Sequence, residues 1–250
     1  MYSERTIVVE NVMKKRLVVF DLDGTLAPLG QGVEQKDLDI LKKLNECGMK
    51  LAICSGKPTY YLCGFARQIG IPDMILLGEN GSVIQFGIHL PPQIYCTLPY
   101  ERSVKSALRQ IEEDISSMIP GIWFQPNSVA VTPFPRNEEE FDRIEEYLDE
   151  HKELLEGIET FRHGDSFDFV PGGITKYDGL QKLTQMTGIT ADEMIAVGDG
   201  INDLPMFSYA GLALGIGLED PEPVDRNFDT ITDALGYILE LITEDEEDKE

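Results

Sequence analysis

The stretch LVVFDLDGTL, Leu17 to Leu26, decides the fold. Leu17, Val18, Val19 and Phe20 carry the branched and aromatic side chains of a buried strand. Asp21 and Asp23 come where that strand leaves the core. Alternation along an extended chain puts both on one side, about 7 Å apart. Two like charges that close repel unless a cation or a proton joins them.

The rhythm downstream repeats. Leu38, Leu41 and Leu44 recur at helical spacing, so a helix is expected over 36–47, ended by Gly48. MKLAICSGKP reads as a second buried strand that breaks at Ser55-Gly56. Pro58 suits the first turn of a helix that runs to about residue 69. DMILLGENG gives a third strand and another sharp stop. This βαβαβ order predicts a parallel sheet with helices on both faces. The same rhythm returns past Pro171. It gives a helix over 175–188, a fourth strand in EMIAVGDG, a short helix near Leu204, and a fifth strand in GLALGIG.

The middle third differs. A helix is expected over 101–118, two short strands over 122–125 and 128–133, and a second helix over 137–152. Strands over 158–163 and 166–170 follow, joined by Gly164-Asp165. This is αββ twice over, a self-contained α+β layer with helices on one face of an antiparallel sheet. The fold class is therefore α/β, with a Rossmann-like parallel-sheet core split over 1–84 and 171–250 and an αββαββ module at 85–170 inserted between.

Composition limits the partners. Lys+Arg number 21 against 45 Asp+Glu, a net charge of −24. That field repels a nucleic-acid backbone and an anionic membrane alike. Residues 244–250, EDEEDKE, read as a solvated, disordered tail. The four cysteines, Cys47, Cys54, Cys63 and Cys96, form no metal or redox spacing and suit a reducing cytosol. No apolar signal core opens the chain, and no run approaches the ~18 residues that span a bilayer. A cytoplasmic monomer or homodimer is expected.

Ligands of open parallel sheets bind beyond the carboxyl ends of the strands. Asp21 and Asp23 follow strand one, and Ser55 and Gly56 follow strand two. Glu79, Asn80 and Gly81 follow strand three, and Asp199, Asn202 and Asp203 follow strand four. Lys176 stands at the helix start between module and core. Any one of these could be a cap or turn residue; four such strand ends together point to a site. Carboxylates converging on one edge need a cation, and oxygen ligands with open positions favour Mg²⁺. Beside a lysine and a helix N-terminus, that makes a phosphoryl site.

These residues resemble the motifs of the haloacid dehalogenase-like phosphatase superfamily. DLDGT matches its Asp-x-Asp-x-Thr, Ser55 its second motif, Lys176 its third, and GDGIND (Gly198 to Asp203) its fourth. The inserted module is similar to the type 2, subclass B cap of sugar-phosphate, phosphoglycolate and sucrose-phosphate phosphatases. The resemblance implies Asp21 as nucleophile, forming an aspartyl-phosphate, and Asp23 as acid and base, its backbone carbonyl also reaching Mg²⁺. Gly24 and Thr25 would shape the loop, and Ser55 and Gly56 would hold phosphoryl oxygens. Lys176 would neutralise charge, Asp199 and Asp203 would serve the metal, and Asn202 would contact the phosphoryl group or Lys176.

The chain also departs from the family. Lys57 stands where relatives carry Arg and is either a solvated lysine or a phosphate contact. Tyr177 follows the motif lysine in place of Gly, and GIGLED lacks a usual Asn. Substrate contacts are sought in Asn80 on the core and in Trp123, Arg136, Arg162 and His163 on the module, with core packing the plainer role for Trp123. The expected function is Mg²⁺-dependent hydrolysis of a small phosphorylated metabolite, a sugar phosphate or phosphoglycolate. A phosphotransferase or mutase, and a non-catalytic binding protein on the same fold, are the alternatives.

Overall fold

The chain is described by a computed structural model over residues 15–247. The absence of a signal core in the first fourteen residues therefore lies outside the described part. Strand β1 (Leu17–Phe20) is followed by α1 (Gln35–Glu46), β2 (Lys50–Cys54), α2 (Thr59–Ala66) and β3 (Ile75–Gly78). Then come β4 (Val83–Phe86) and β5 (Ile94–Thr97). The module supplies α3 (Arg102–Met118), β6 (Trp123–Gln125), β7 (Thr132–Phe134), α4 (Glu138–Glu150), β8 (Ile158–Arg162) and β9 (Phe167–Pro171). The chain closes with α5 (Lys176–Thr187), β10 (Met194–Gly198), α6 (Leu204–Tyr209), β11 (Leu212–Ile216), β12 (Arg226–Phe228) and α7 (Ile231–Glu247).

Eight strands form one sheet in the order β12-β11-β10-β1-β2-β3-β4-β5. The six strands from β12 to β3 run parallel. β1 lies between β10 and β2, which explains its composition. All four of its residues are fully buried, as an apolar run covered on both faces must be. On one face Leu41 and Leu44 of α1 meet Ala234, Leu235 and Ile238 of α7 over Val18, Phe20 and Ile53.

The chain divides into two compact units, Met1–Cys96 with Thr175–Glu250, and Thr97–Ile174. The sequence reading cut the core at 84. The cut falls later because β4 turns back antiparallel to β3 and β5 extends the same sheet. Neither strand has the long apolar run that marks a central strand. β12 and α7 likewise lie past the last strand read from sequence. Helix α7 continues to Glu247, so residues 244–247 of the expected disordered tail are helical, and 248–250 lie outside the described residues.

The second unit keeps the order α3-β6-β7-α4-β8-β9. Its strands do not make one sheet. They make two hairpin sheets joined by a single bridge, Val131 to Phe169. The strand read over 128–133 is confined to Thr132–Phe134, and α4 gives way to a short 3₁₀ turn at Lys152–Leu155. Ile111 and Ile115 of α3 and Phe141 and Ile144 of α4 pack on Phe167 and Phe169. Among the described residues, no helix is long and apolar enough to cross a membrane.

Candidate active site

The strand ends deliver the acids. The Asp21 N–H donates to the Val197 carbonyl at 2.8 Å, so Asp21 still rides on the β1–β10 ladder. Asp23 does not. The extended chain stops after β1, and residues 22–27 turn back on themselves, with Gly24 N–H on the Ala27 carbonyl (2.9 Å) and Ala27 N–H on that of Leu22 (3.0 Å). Gly24 takes φ +93° and turns the chain just after Asp23. A Cβ at Gly24 would run into the Asp199 carboxylate. That close approach lets the Thr25 hydroxyl donate to Asp199 Oδ1.

Lys176 opens α5. Its position is set by two local devices. Thr175 and Asp178 form a capping box, with the Thr175 N–H and hydroxyl both donating to Asp178 Oδ2 at 2.8 Å. One residue further, Gly179 lies against Gly81, and a Cβ on Gly179 would stand 2.7 Å from the Gly81 Cα. The lysine is 1% exposed. Its Nζ donates to Asp21 Oδ1 at 2.5 Å and Asp203 Oδ1 at 2.6 Å. Asp203 is fully buried, and its other oxygen accepts the N–H groups of Asp199 (2.9 Å) and Gly200 (3.1 Å).

Asp21, Asp199 and Asp203 thus offer three carboxylate oxygens within 4.8 Å of one another. One lysine faces three acids. Burial raises the pKa of Asp21 to about 6, Lys176 pulls it down, and Asp203 and Asp199 push it up again. Burial also raises Asp199, against the Thr25 hydrogen bond. For Lys176, burial opposes the charge, but Asp21 and Asp203 outweigh it and the pKa is raised. The cluster therefore holds more negative charge than its lysine neutralises. All-oxygen donors with a charge deficit fit a hard divalent cation.

The remaining predicted residues divide. Ser55 is buried, and its Oγ accepts the Lys57 N–H at 3.2 Å. Lys57 Nζ stands 4.0 Å from Asp23 Oδ2. Asn80 approaches Gly56 and takes a left-handed φ of +55°, as does Glu79 at +52°. Two backbone bonds hold that bend: Glu79 N–H to the Lys57 carbonyl and Asn80 N–H to that of Ser55, both 3.0 Å. Asn202 is exposed. The Asp23 carboxylate is not one of the three clustered acids.

In the second unit, Arg162 is committed to Glu145 (3.0 Å) and Glu138 (3.3 Å) and lies over the Phe141 ring. The substrate contact sought at this arginine is met by an arginine already paired with two glutamates. Arg136 is likewise paired with Glu140 at 2.5 Å. Trp123 is 58% exposed, so the core-packing role fails. Sequence reasoning missed the Gly81–Gly179 contact, which no local signal announces. It also missed the Thr175–Asp178 cap, which the Thr-x-x-Asp spacing could have shown.

Comparison with known proteins adds a lineage. The model of the haloacid dehalogenase-like hydrolase family matches residues 18–113 and 124–222. A phosphoglycolate phosphatase of Methanococcoides burtonii is 25% identical over 225 residues, 85% of this chain and 88% of its own. The 5-amino-6-(5-phospho-D-ribitylamino)uracil phosphatase YitU of Bacillus subtilis is 23% identical over 236 residues, 82% and 87% of the two chains. In fold, the chain is similar to a haloacid dehalogenase-like hydrolase from Bacteroides thetaiotaomicron, with TM-score 0.74 at 22% identity, covering 90% of this chain and all of that one.

Proposed function

Because the chain belongs to the haloacid dehalogenase-like hydrolase family and is a phosphatase, we propose that it is a Mg²⁺-dependent phosphomonoesterase that works through an aspartyl-phosphate on Asp21. The substrate is a small phosphorylated metabolite. One observation carries the reading. Three carboxylates and one buried lysine, drawn from three separate parts of the chain, meet within hydrogen-bond and ligand distance.

The carboxylates of Asp21, Asp199 and Asp203, with the Asp23 backbone carbonyl, would hold the metal. Bound there, Mg²⁺ supplies positive charge that offsets the carboxylates and the phosphoryl oxygens. The rest is done by the chain. Asp21 is ionised above about pH 6. Lys176 fixes its carboxylate through Oδ1 and adds charge beside the phosphoryl group. A carboxylate oxygen of Asp21 attacks phosphorus, and the bond to the leaving oxygen breaks. Asp23, at the rim of the cluster, gives that oxygen its proton. The Asp23 carboxylate then takes a proton from water, whose oxygen attacks phosphorus. Inorganic phosphate leaves and the Asp21 carboxylate is restored. Ser55, Gly56, Asn80, Asn202 and Lys57 surround the phosphoryl oxygens, and Gly24 and Thr25 keep the loop that carries Asp21 and Asp23 against Asp199.

The four free cysteines support a reducing, cytoplasmic setting. The test is hydrolysis of p-nitrophenyl phosphate with and without Mg²⁺, run beside Asp21→Asn. Metal-dependent turnover in the wild type and less than about a hundredth of it in the variant is the expected result. Equal turnover in both would sink the nucleophile assignment.

A further inference from the structure

We propose that the β5 edge of the large sheet is a contact between two copies of this chain, in which β5 pairs antiparallel with β5 of a second copy about a twofold axis. The inference concerns assembly and does not depend on the chemistry at Asp21.

The two edges of the sheet differ in kind. β5 ends it on one side and β12 on the other. An outer strand offers backbone N–H and C=O groups to any extended chain, and charge on or beside the strand is a common guard against pairing. β12 has that guard: it begins at Arg226 and is flanked by Asp225 and Asp229. β5 reads Ile-Tyr-Cys-Thr and has none. Its Ile94 and Tyr95 are each 45% exposed. Prolines at 91, 92 and 99 bound the strand and do not interrupt it.

The surface that leads into this edge is apolar as well. A groove of about 500 Å³ runs between α2 and the chain entering β5, lined by Tyr60, Cys63, Arg67, Ile88, His89 and Leu90. Its two walls are tied together, since the Cys63 thiol donates to the Ile88 carbonyl at 3.0 Å. Leu90 is 69% exposed, and Tyr60 is exposed too. Single bare apolar residues are ordinary on a protein surface. Tyr60, Leu90, Ile94 and Tyr95 along one groove and one strand edge mark a contact.

Charge selects the occupant. Each copy carries −24, so two copies repel through most of their surfaces. Residues 55–72 and 83–96 contain no Asp or Glu, in a chain that has 45 of them among 250 residues. Those stretches build α2, β4 and most of β5. A second copy that docks here meets no carboxylate from them, and Arg67 and His89 face the negative field that it brings. A strand edge paired with its own copy about a twofold is self-complementary, and the assembly closes at two.

The experiment is sedimentation equilibrium of the full-length chain over a dilution series, at low and at high sodium chloride. A concentration-dependent species of twice the mass of one chain is expected. It should tighten as salt rises, because screening weakens the repulsion between the two acidic copies. Ile94→Lys and Leu90→Glu each place a charge at an exposed position, so both variants should keep the wild-type melting temperature. Each should weaken the dimer at least tenfold. A monomer at every concentration and salt, or a dimer that neither substitution weakens, overturns the proposal. So does a dimer that dissociates as salt rises, since ion pairs would then hold it.

Discussion

Lys176 and Asp21 are 155 positions apart in the chain, yet the ammonium of one lies 2.5 Å from the carboxylate of the other, both out of solvent. The pair is the centre of the site. It also explains why the buried charges are tolerated, since Asp203 closes the other side of the same lysine.

Lys176→Met should therefore act twice. Turnover should fall at least about a hundredfold, the scale of losing one preorganised charge stabiliser. Stability should fall by about 3–5 kcal/mol, because Asp21 and Asp203 are left buried without their cation. Steady-state assay and thermal melting read the two effects. A variant that keeps a tenth of the wild-type rate would remove Lys176 from the chemistry.

Asp23→Asn should separate substrates by leaving group. Nitrophenolate departs without a proton, whereas an alkoxide needs one. Hydrolysis of an alkyl phosphate should drop by about 10²–10⁴-fold. With p-nitrophenyl phosphate the first release of nitrophenol should persist as a burst, followed by slow turnover. Stopped-flow absorbance measures both phases. Equal loss in the burst and in the alkyl ester would contradict the acid role.

The pH dependence of the metal-free protein follows from Asp21. Burial raises its pKa from 3.8 to about 6. The folded chain thus holds this proton more tightly than the unfolded chain. Its stabilising contribution is complete below pH 3.8 and is lost as pH rises through about 6. Asp21→Asn carries no such titration. In chelator, the melting temperature of the variant minus that of the wild type should grow between pH 4 and pH 7. A flat difference would mean that the carboxylate is not held in this environment.

Gly179→Ala tests how the lysine is placed. The added Cβ would stand 2.7 Å from the Gly81 Cα, and neither backbone can yield without a shift of α5. Overpacking of this kind costs about 1–3 kcal/mol. Since α5 begins at Lys176, the shift should move the ammonium off Asp21 and lower kcat, with KM little changed. Wild-type kcat with an unaltered melting temperature would show that the contact is slack.

The sequence by itself determined the central strands, because a strand covered on both faces must be a continuous apolar run. Leu17–Phe20, Met194–Gly198 and Leu212–Ile216 all satisfy that requirement. It also marked Asp21, Ser55, Asp199 and Asp203, since polar residues that follow such runs fall at one edge of a parallel sheet, and it marked Lys176 by its place at a helix start. Tertiary structure alone decided the rest. The edge strands β5 and β12 carry little apolar signal because one side of each lacks a neighbour, and β4, which turns back antiparallel on β3, has its apolar run broken by Gln85. Residues 22–27 close into a turn after β1, with Gly24 at φ +93°, which side-chain alternation does not register. Arg162 is taken up by nearby glutamates, and Trp123 is left bare where core packing was expected. The partners of a long side chain come from distant segments, and only packing brings those together.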